Sequence, residues 1–413
     1  MNNPTNHLPA LLVSLSLAAG FVCAQSTPDA PTPDQQADSA KSGIGVSFGA
    51  NGVNVRSADG EIEANIGADL QVDGRYYPDG QTSPASDGFL IRRARPTFSG
   101  VVFKYVDFFI RPDFGQGTTV LYDAYIDFTY FSRFVVRAGK FKPPVGLERL
   151  QSDDDTTFIE RGMPTLLVPS RDIGYQISGD ILKNRVNYAV GVFNGVADNS
   201  LADAPVTSHR DFAGRLFLTP FQPDKTFLKG LGVGIAGSDG PMDGIPLPAY
   251  KTLGQITFFS FASGVVSDGH RTRIAPQMYY YLGGFGLLSE WTRSDEEFQK
   301  GNARHPFDFR AWQVQASYVL TGEKKSFGTL LPKKNFDPRY HTWGAFELAI
   351  RVGDFEADRA LFNDGFASIT ASPRRAHEWL GGVNWYLNRY MMIKFDAGNT
   401  NFAGGGTVAQ QFE

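Results

Sequence analysis

The sequence predicts an all-β fold, a transmembrane antiparallel β-barrel. Three observations predict it. From Glu61 onward, segments of about ten residues alternate apolar and polar side chains, as lipid-spanning strands do. The turns between them alternate short and long. After the N-terminal segment no run of about 18 apolar residues occurs that could cross a bilayer as a helix. Only helices and closed barrels satisfy every backbone group in lipid.

The N-terminal segment reads as a secretory leader. Leu8 to Ala24 is apolar and ends in Val22-Cys23-Ala24, small enough for cleavage before Gln25, although its first residues, MNNPTNH, carry no Lys or Arg. Cys23 is the sole cysteine, so a mature chain holds no disulfide. Val22 disfavours a lipoprotein site. Residues 25–43, rich in Pro, Asp and Ser, read as a flexible periplasmic linker. Residues 44–60 form a short β segment, and 61–413 the barrel. The composition, with 45 Gly, 34 Phe and 16 Tyr among 413 residues, suits twisted strands and aromatic girdles. A net charge of −4 gives no reason to expect a nucleic-acid partner.

Period two assigns the faces. Ile66, Ala68, Leu70 and Val72 oppose Asp69, Gln71, Asp73 and Arg75; Tyr122, Ala124, Ile126 and Phe128 oppose Asp123, Tyr125 and Asp127. Near the end, Trp379, Val383 and Trp385 oppose Glu378 and Asn384, and Ile393 and Phe395 oppose Lys394 and Asp396. Short turns fall at Phe103-Lys104, Phe131-Ser132, Leu182-Lys183, Gly283-Gly284 and Asn388-Arg389. Long loops fall at 78–87, 143–172, 194–210, 238–268, 294–308 and 354–373. Two connections on the short-turn side, 220–229 and 321–340, depart from the alternation.

This scheme gives fifteen strands, at roughly 61–77, 87–102, 104–115, 119–130, 132–141, 173–181, 184–193, 210–219, 229–237, 269–282, 284–293, 309–320, 340–353, 374–387 and 389–401. Thr252 to Phe261 is placed within the fifth loop. Bacterial barrels carry an even number of strands, so the expectation is a sixteen-strand type with its last strand missing and an open seam.

The polar faces then line a wet lumen. Its inward candidates include Arg93, Arg95, Arg111, Arg133, Arg137, Arg215, Arg273 and Arg351, with Asp69, Asp113, Asp123, Asp127, Glu290 and Asp396 among them. Guanidinium is permanently charged and fork-shaped, suited to passing an oxyanion between donor pairs. Arg93, Arg95, Arg133 and Arg137 lie on early strands beside the third loop. That loop, 142–172, carries Leu147, Leu150, Phe158, Ile159, Met163, Leu166 and Leu167, too apolar to remain in water. Folded inward, it narrows the pore and brings Arg149, Glu160 and Arg161 into it. Asp153-Asp154-Asp155 lacks the ligand spacing of a cation site and reads as a solvated acidic turn. No cofactor or metal is expected.

Other classes stay open: a general pore with a merely wet wall, an outer-membrane barrel hydrolase, or a soluble β-protein such as a lectin. Against the hydrolase, the six histidines stand in no GxSxG or HExxH context.

Seven stretches carry a family resemblance: GFLIRRARPTFSG (88–100), AGKFKPPVGLERLQS (138–152), FIERGMP (158–164), GVFNG (191–195), YVLTGEKK (318–325), WGAFELAIR (343–351) and GVNWYLNRY (382–390). In this order the chain resembles the phosphate- and pyrophosphate-selective porins O and P over nearly its whole mature length. The resemblance implies a sixteen-stranded homotrimeric barrel in outer-membrane lipid, passing small inorganic anions along an arginine ladder to a constriction at the inward third loop. By the same resemblance, Arg92 and Arg93 match the family's paired arginines and Asp113 a lumen aspartate. Arg149 stands where phosphate-selective members have a lysine, and the Asp153-Asp154-Asp155 run replaces further lysine.

Overall fold

The computed structural model describes residues 7–18, 44–49, 52–77, 87–131, 133–203, 208–222, 226–368 and 370–404, with only the side chains of Leu12 and Ser14 in the first stretch. The expected linker and residues 78–86 of the first long loop fall outside the described residues. One antiparallel ladder organises the chain. Its members are β1 (His7–Ala18), β2 (Gly45–Gly49), β3 (Gly52–Arg56), β4 (Ile62–Tyr76), β5 (Gly88–Val102), β6 (Val106–Asp113), β7 (Val120–Phe131), β8 (Phe134–Phe141), β9 (Asp172–Ile181), β10 (Val186–Phe193), β11 (Asp211–Leu218), β12 (Leu231–Pro246), β15 (Val265–Leu282), β16 (Phe285–Lys300), β17 (Ala303–Val319), β18 (Ala345–Ala357), β19 (Arg375–Tyr386) and β20 (Met391–Ala403). Two short strands, β13 (Tyr250–Lys251) and β14 (Thr257–Phe259), pair separately within the fifth loop.

Neighbours run in chain order from β4 to β20, and β20 pairs with β1, which pairs in turn with β4. The seam expected to be open is therefore occupied. The strand that fills it comes from the segment read as a leader. His7 to Leu17 face β20 and Leu11 to Ala18 face β4. The physical reason is the cost of two facing edges: each unsatisfied N–H or C=O in hydrocarbon costs several kcal/mol, and an extended apolar segment satisfies both rows. Below this strand, the β2–β3 hairpin pairs with the start of β4.

The side chains are sorted inversely to those of a water-soluble protein. Ile66, Leu70, Ile110, Val190, Ile235, Ile274, Val314, Ile350 and Phe395 are exposed on the outer face. Asp73, Arg351, Glu347, Gln313, Asn384 and Asp396 are buried within. Such an outer band belongs against lipid. Aromatic side chains gather by the short turns: Tyr105 meets Tyr130 edge-on at 4.8 Å, and Phe346 stacks on Trp385 at 5.6 Å. Rings of this kind sit at membrane interfaces. The short turns are tight; Phe103, Lys104, Leu182 and Lys183 all take positive φ.

Three local expectations are corrected. The loop expected at 294–308 is a continuous hairpin, with β16 and β17 paired out to Lys300 and Ala303 around Gly301 (φ 59°). Polar residues there sit on strand that rises past the bilayer, where both faces meet water or protein, so period two no longer separates apolar from polar. The fifth loop is shorter than 238–268 for the same reason, since β12 reaches Pro246 and β15 starts at Val265. Tyr122 is not on the outer face: Arg111 pairs with Asp123 and Pro112 with Leu121, leaving Tyr122 as the extra residue of a bulge that turns it inward.

The paired edges of β1 generate a test. Refolded in detergent micelles, the full chain should resist unfolding in hot SDS better than a chain starting at Gln25. The shift of the heat-modifiable band on a gel reads the difference; equal resistance would mean that β1 contributes nothing to the wall.

Candidate functional site: an arginine-rich lumen narrowed by the third loop

The third loop, between β8 and β9, folds into the ring as its apolar residues require. Phe158 and Ile159 pack with Leu12, Ala349 and Leu380 of the wall. Met163, Leu166 and Leu167 join Phe258, Phe259, Phe309 and Phe355 in an aromatic cluster shared with the fifth loop. A short helix, α1 (Leu147–Leu150), is held at its N-terminus by Glu290 of β16, whose carboxylate accepts from the Leu147 N–H at 2.5 Å. Gln313 of β17 donates to Glu148 at 2.8 Å. Gly162 lets Gln313 come close: a Cβ here would lie 1.7 Å from the Gln313 amide oxygen and would push that side chain off Glu148. Further along, the Ile159 N–H donates to Asp396 at 2.7 Å and Asn384 to the Thr157 carbonyl at 2.8 Å.

On the opposite wall a bulge decides the geometry. Gln71 pairs with Arg93 and Val72 with Ile91, so Arg92 is the additional residue. Ile91 points out and is 52% exposed, while Arg92 and Arg93 both face the lumen. Without the bulge two consecutive residues of one strand could not share a face.

Each arginine on this strand meets the loop. Arg92 makes a two-pronged contact with Glu160, at 2.6 and 3.0 Å, and Arg75 adds a third at 3.3 Å. Arg93 lies 3.6 Å from Asp153 and donates to Gln71. Arg95 donates to Asp113 at 2.6 Å and also to Asp153, with its guanidinium 3.8 Å above the Tyr122 ring. Arg161 of the loop pairs with Asp153 as well. Behind them Arg171 grips Asp123 at 2.8 Å.

Asp153 thus corrects an expectation. It is no solvated turn but a carboxylate 7% exposed, held between three guanidiniums. Burial alone would raise its pKa; Arg161, Arg93, Arg95 and Lys142 outweigh that and hold it well below the usual carboxylate range. Glu160 behaves alike: burial raises it, and Arg92, Arg93 and Arg75 bring it to about 2. Arg149 has the opposite surroundings. Its guanidinium donates to the Thr165 carbonyl at 2.7 Å and to Asn199 at 2.6 Å, and among the described residues no carboxylate lies in ion-pair range. Burial, with Arg161 nearby, lowers it to about 9, still charged at neutral pH.

The remaining expected residues divide. Arg111 donates to Thr97 at 3.0 Å and Arg215 to Gln277 and Asn187 at 2.9 Å each, again without an ion pair among the described residues. Arg137 is matched to Asp127 at 2.7 Å on both prongs, nearer the short-turn end. Arg133 is not brought to the site. It is exposed at the short turn between β7 and β8, and its carbonyl accepts from the Tyr188 hydroxyl at 2.8 Å. Two groups went unforeseen. The fifth loop brings Lys251, Thr252 and Gln255 over the third loop. From the other end, the connection between β17 and β18 reaches upward, where Thr329 donates to Asp155 at 2.5 Å and the Phe327 carbonyl accepts from Gln151 at 2.7 Å.

A cavity of about 320 Å³ remains between loop and wall, lined by six cations (Arg92, Arg93, Arg95, Arg149, Arg161, Lys251) and three carboxylates (Asp113, Glu160, Glu378). Strands apolar outside and charged within, around a lumen narrowed by an inward loop, make a membrane channel, and no reacting pair of nucleophile and base is assembled among the described residues of this cavity. The chain belongs to the phosphate-selective porin O and P family, whose profile matches residues 62–224 and 255–400. It is 23% identical to Porin O of Pseudomonas aeruginosa over 386 residues, 83% of this chain and 84% of that one. It is therefore a porin of the bacterial outer membrane. Solved structures of similar outline include a loop-deletion form of OmpT, an outer membrane protein of Vibrio cholerae (10% identity, TM-score 0.43, covering 96% of this chain and 98% of that one). Another is a BenF-like porin from Pseudomonas fluorescens Pf-5 (10% identity, TM-score 0.40, covering 96% and 98%).

The Glu160 latch has a pH signature. Its folded pKa is depressed from 4.5 to about 2, so its contribution to loop docking is complete above pH 4.5 and is lost as pH falls through 2. Open-channel current noise should rise over that window. Glu160→Gln should show the raised noise already at neutral pH, since breaking a buried ion pair costs about 3–5 kcal/mol.

Proposed function

We propose that the protein is a passive channel for small anions, phosphate and pyrophosphate among them, built as a sixteen-stranded transmembrane barrel and assembled as a homotrimer in outer-membrane lipid. The observation that carries anion preference is the excess of fixed positive charge around the cavity beside the third loop, with Arg149 lacking a carboxylate partner among the described residues. Arg111 and Arg215, whose hydrogen-bond partners are neutral and which make no ion pair among the described residues, extend positive charge along the wall. A low-dielectric tube focuses such charge and raises the local anion concentration. The phosphate preference is supported by the family description alone, and the trimer by the family resemblance. Residues 1–24 carry the pattern of a leader. Cleavage at Ala24 would remove β1, leaving fifteen of the sixteen wall strands in the mature chain with β4 and β20 as facing edges; mass spectrometry of protein taken from the outer membrane should find the N-terminus at Gln25.

A general pore with a wet wall is the second reading, and the pairing of most lumen arginines with carboxylates favours it. Planar-bilayer recordings separate the two. Under a potassium chloride gradient the reversal potential should report chloride preference. Arg149→Ala should lower that preference several-fold and Arg149→Glu should move the potential toward potassium, whereas Arg133→Ala should change neither. A wild-type pore that already favours potassium would leave the general pore as the correct reading.

A further inference from the structure

Three guanidiniums, from Arg93, Arg95 and Arg161, converge on the carboxylate of Asp153, and the Tyr122 hydroxyl lies 3.4 Å from its Oδ2. These donors come from two directions: Arg93 and Arg95 from the wall strand β5, Arg161 from the loop itself. Several forked donors closing on one pair of oxygens, with burial all round, is the arrangement that would capture a free oxyanion. Here the oxyanion belongs to the chain.

We propose that Asp153 is a tethered competitor anion, a specificity-determining residue that fills the strongest oxyanion-binding point of the lumen and so keeps the pore permeant rather than tightly binding. This rests on the anion-channel reading above and adds to it. A group fixed in place competes intramolecularly, at an effective concentration set by its tether and not by the solution, and the three guanidiniums hold Asp153 ionised throughout the neutral range. A phosphate ion arriving at the eyelet meets arginines already matched there, and beside them Arg149, which has no ion pair among the described residues. Weak binding follows, and conduction needs release as much as capture. A pore with the same arginines and no carboxylate at 153 would bind phosphate and be blocked by it.

The test is chloride current through the refolded full chain in a planar bilayer, titrated with inorganic phosphate. Asp153→Asn keeps the size of the side chain and removes its charge. The concentration of phosphate that halves the current should fall by about tenfold or more, the worth of one charge-assisted hydrogen bond. An unchanged half-blocking concentration in a variant that still shows heat-modifiable folding overturns the proposal and leaves the anion channel standing. A wild-type pore selective for potassium overturns both. Should Asp153→Asn not fold, the wild type decides: its conductance in phosphate should rise without saturation well beyond the millimolar range, and saturation at millimolar phosphate overturns the proposal.

Discussion

Matching of wall arginines to the carboxylates of one inward loop is the interaction on which the lumen depends. When the third loop leaves water, Asp153 and Glu160 are desolvated together with the guanidiniums they meet, and each ion left without a partner would cost several kcal/mol. The loop therefore has few places to sit. Arg92 and Arg75 fix Glu160; Arg93, Arg95 and Arg161 fix Asp153; Arg351 of β18 donates to the Glu160 carbonyl at 2.9 Å from across the ring. Apolar packing at Phe158 and Leu167 supplies adhesion without direction, since hydrophobic burial is not orientational. The charges supply the register.

That register in turn rests on two single-residue irregularities. The bulge at Arg92 places two adjacent arginines on the same side of β5, and the bulge at Tyr122 swings an aromatic face beneath Arg95 and Arg171, at 3.8 and 3.9 Å. A regular ladder would send Arg92 into lipid, where a guanidinium is expensive, and would cost Glu160 its two-pronged partner. The two bulges, on β5 and β7, lie either side of β6 on the wall the loop faces, so local departures from period two produce the concentration of donors there.

Period two also explains how far the sequence could be read. Strands such as β4, β19 and β20 declare their faces because one side meets hydrocarbon and the other water, and Leu70 against Asp69 or Phe395 against Asp396 needs no tertiary knowledge. Where strands rise out of the bilayer that contrast ends, which is why the β16–β17 hairpin looked like a loop. A bulge leaves no compositional mark, so Tyr122 was assigned by parity to the wrong face. Arg133 failed differently: its parity was lumenal, but it sits where the strand turns. The inward course of the third loop was legible from its leucines, Phe158 and Ile159. Its ion pairs were not, because Arg95 and Asp153 are 58 residues apart and a run of three aspartates looks the same in water and in a salt-bridged core.

The pairing has a further consequence for how charge acts in this lumen. An arginine matched by a carboxylate is a dipole, and its field fades quickly along the pore; an arginine held only by carbonyls and amides remains a monopole whose potential reaches over about a Debye length, some 8 Å at physiological salt. Most of the lumen arginines that the sequence displays are of the first kind. Arg149 is of the second kind, because Thr165 and Asn199 offer it neutral oxygen. Counting guanidiniums along the wall therefore overstates the anion field. Its sign at the eyelet is set by the few cations whose partners are uncharged, placed beside a larger set whose task is to hold the loop.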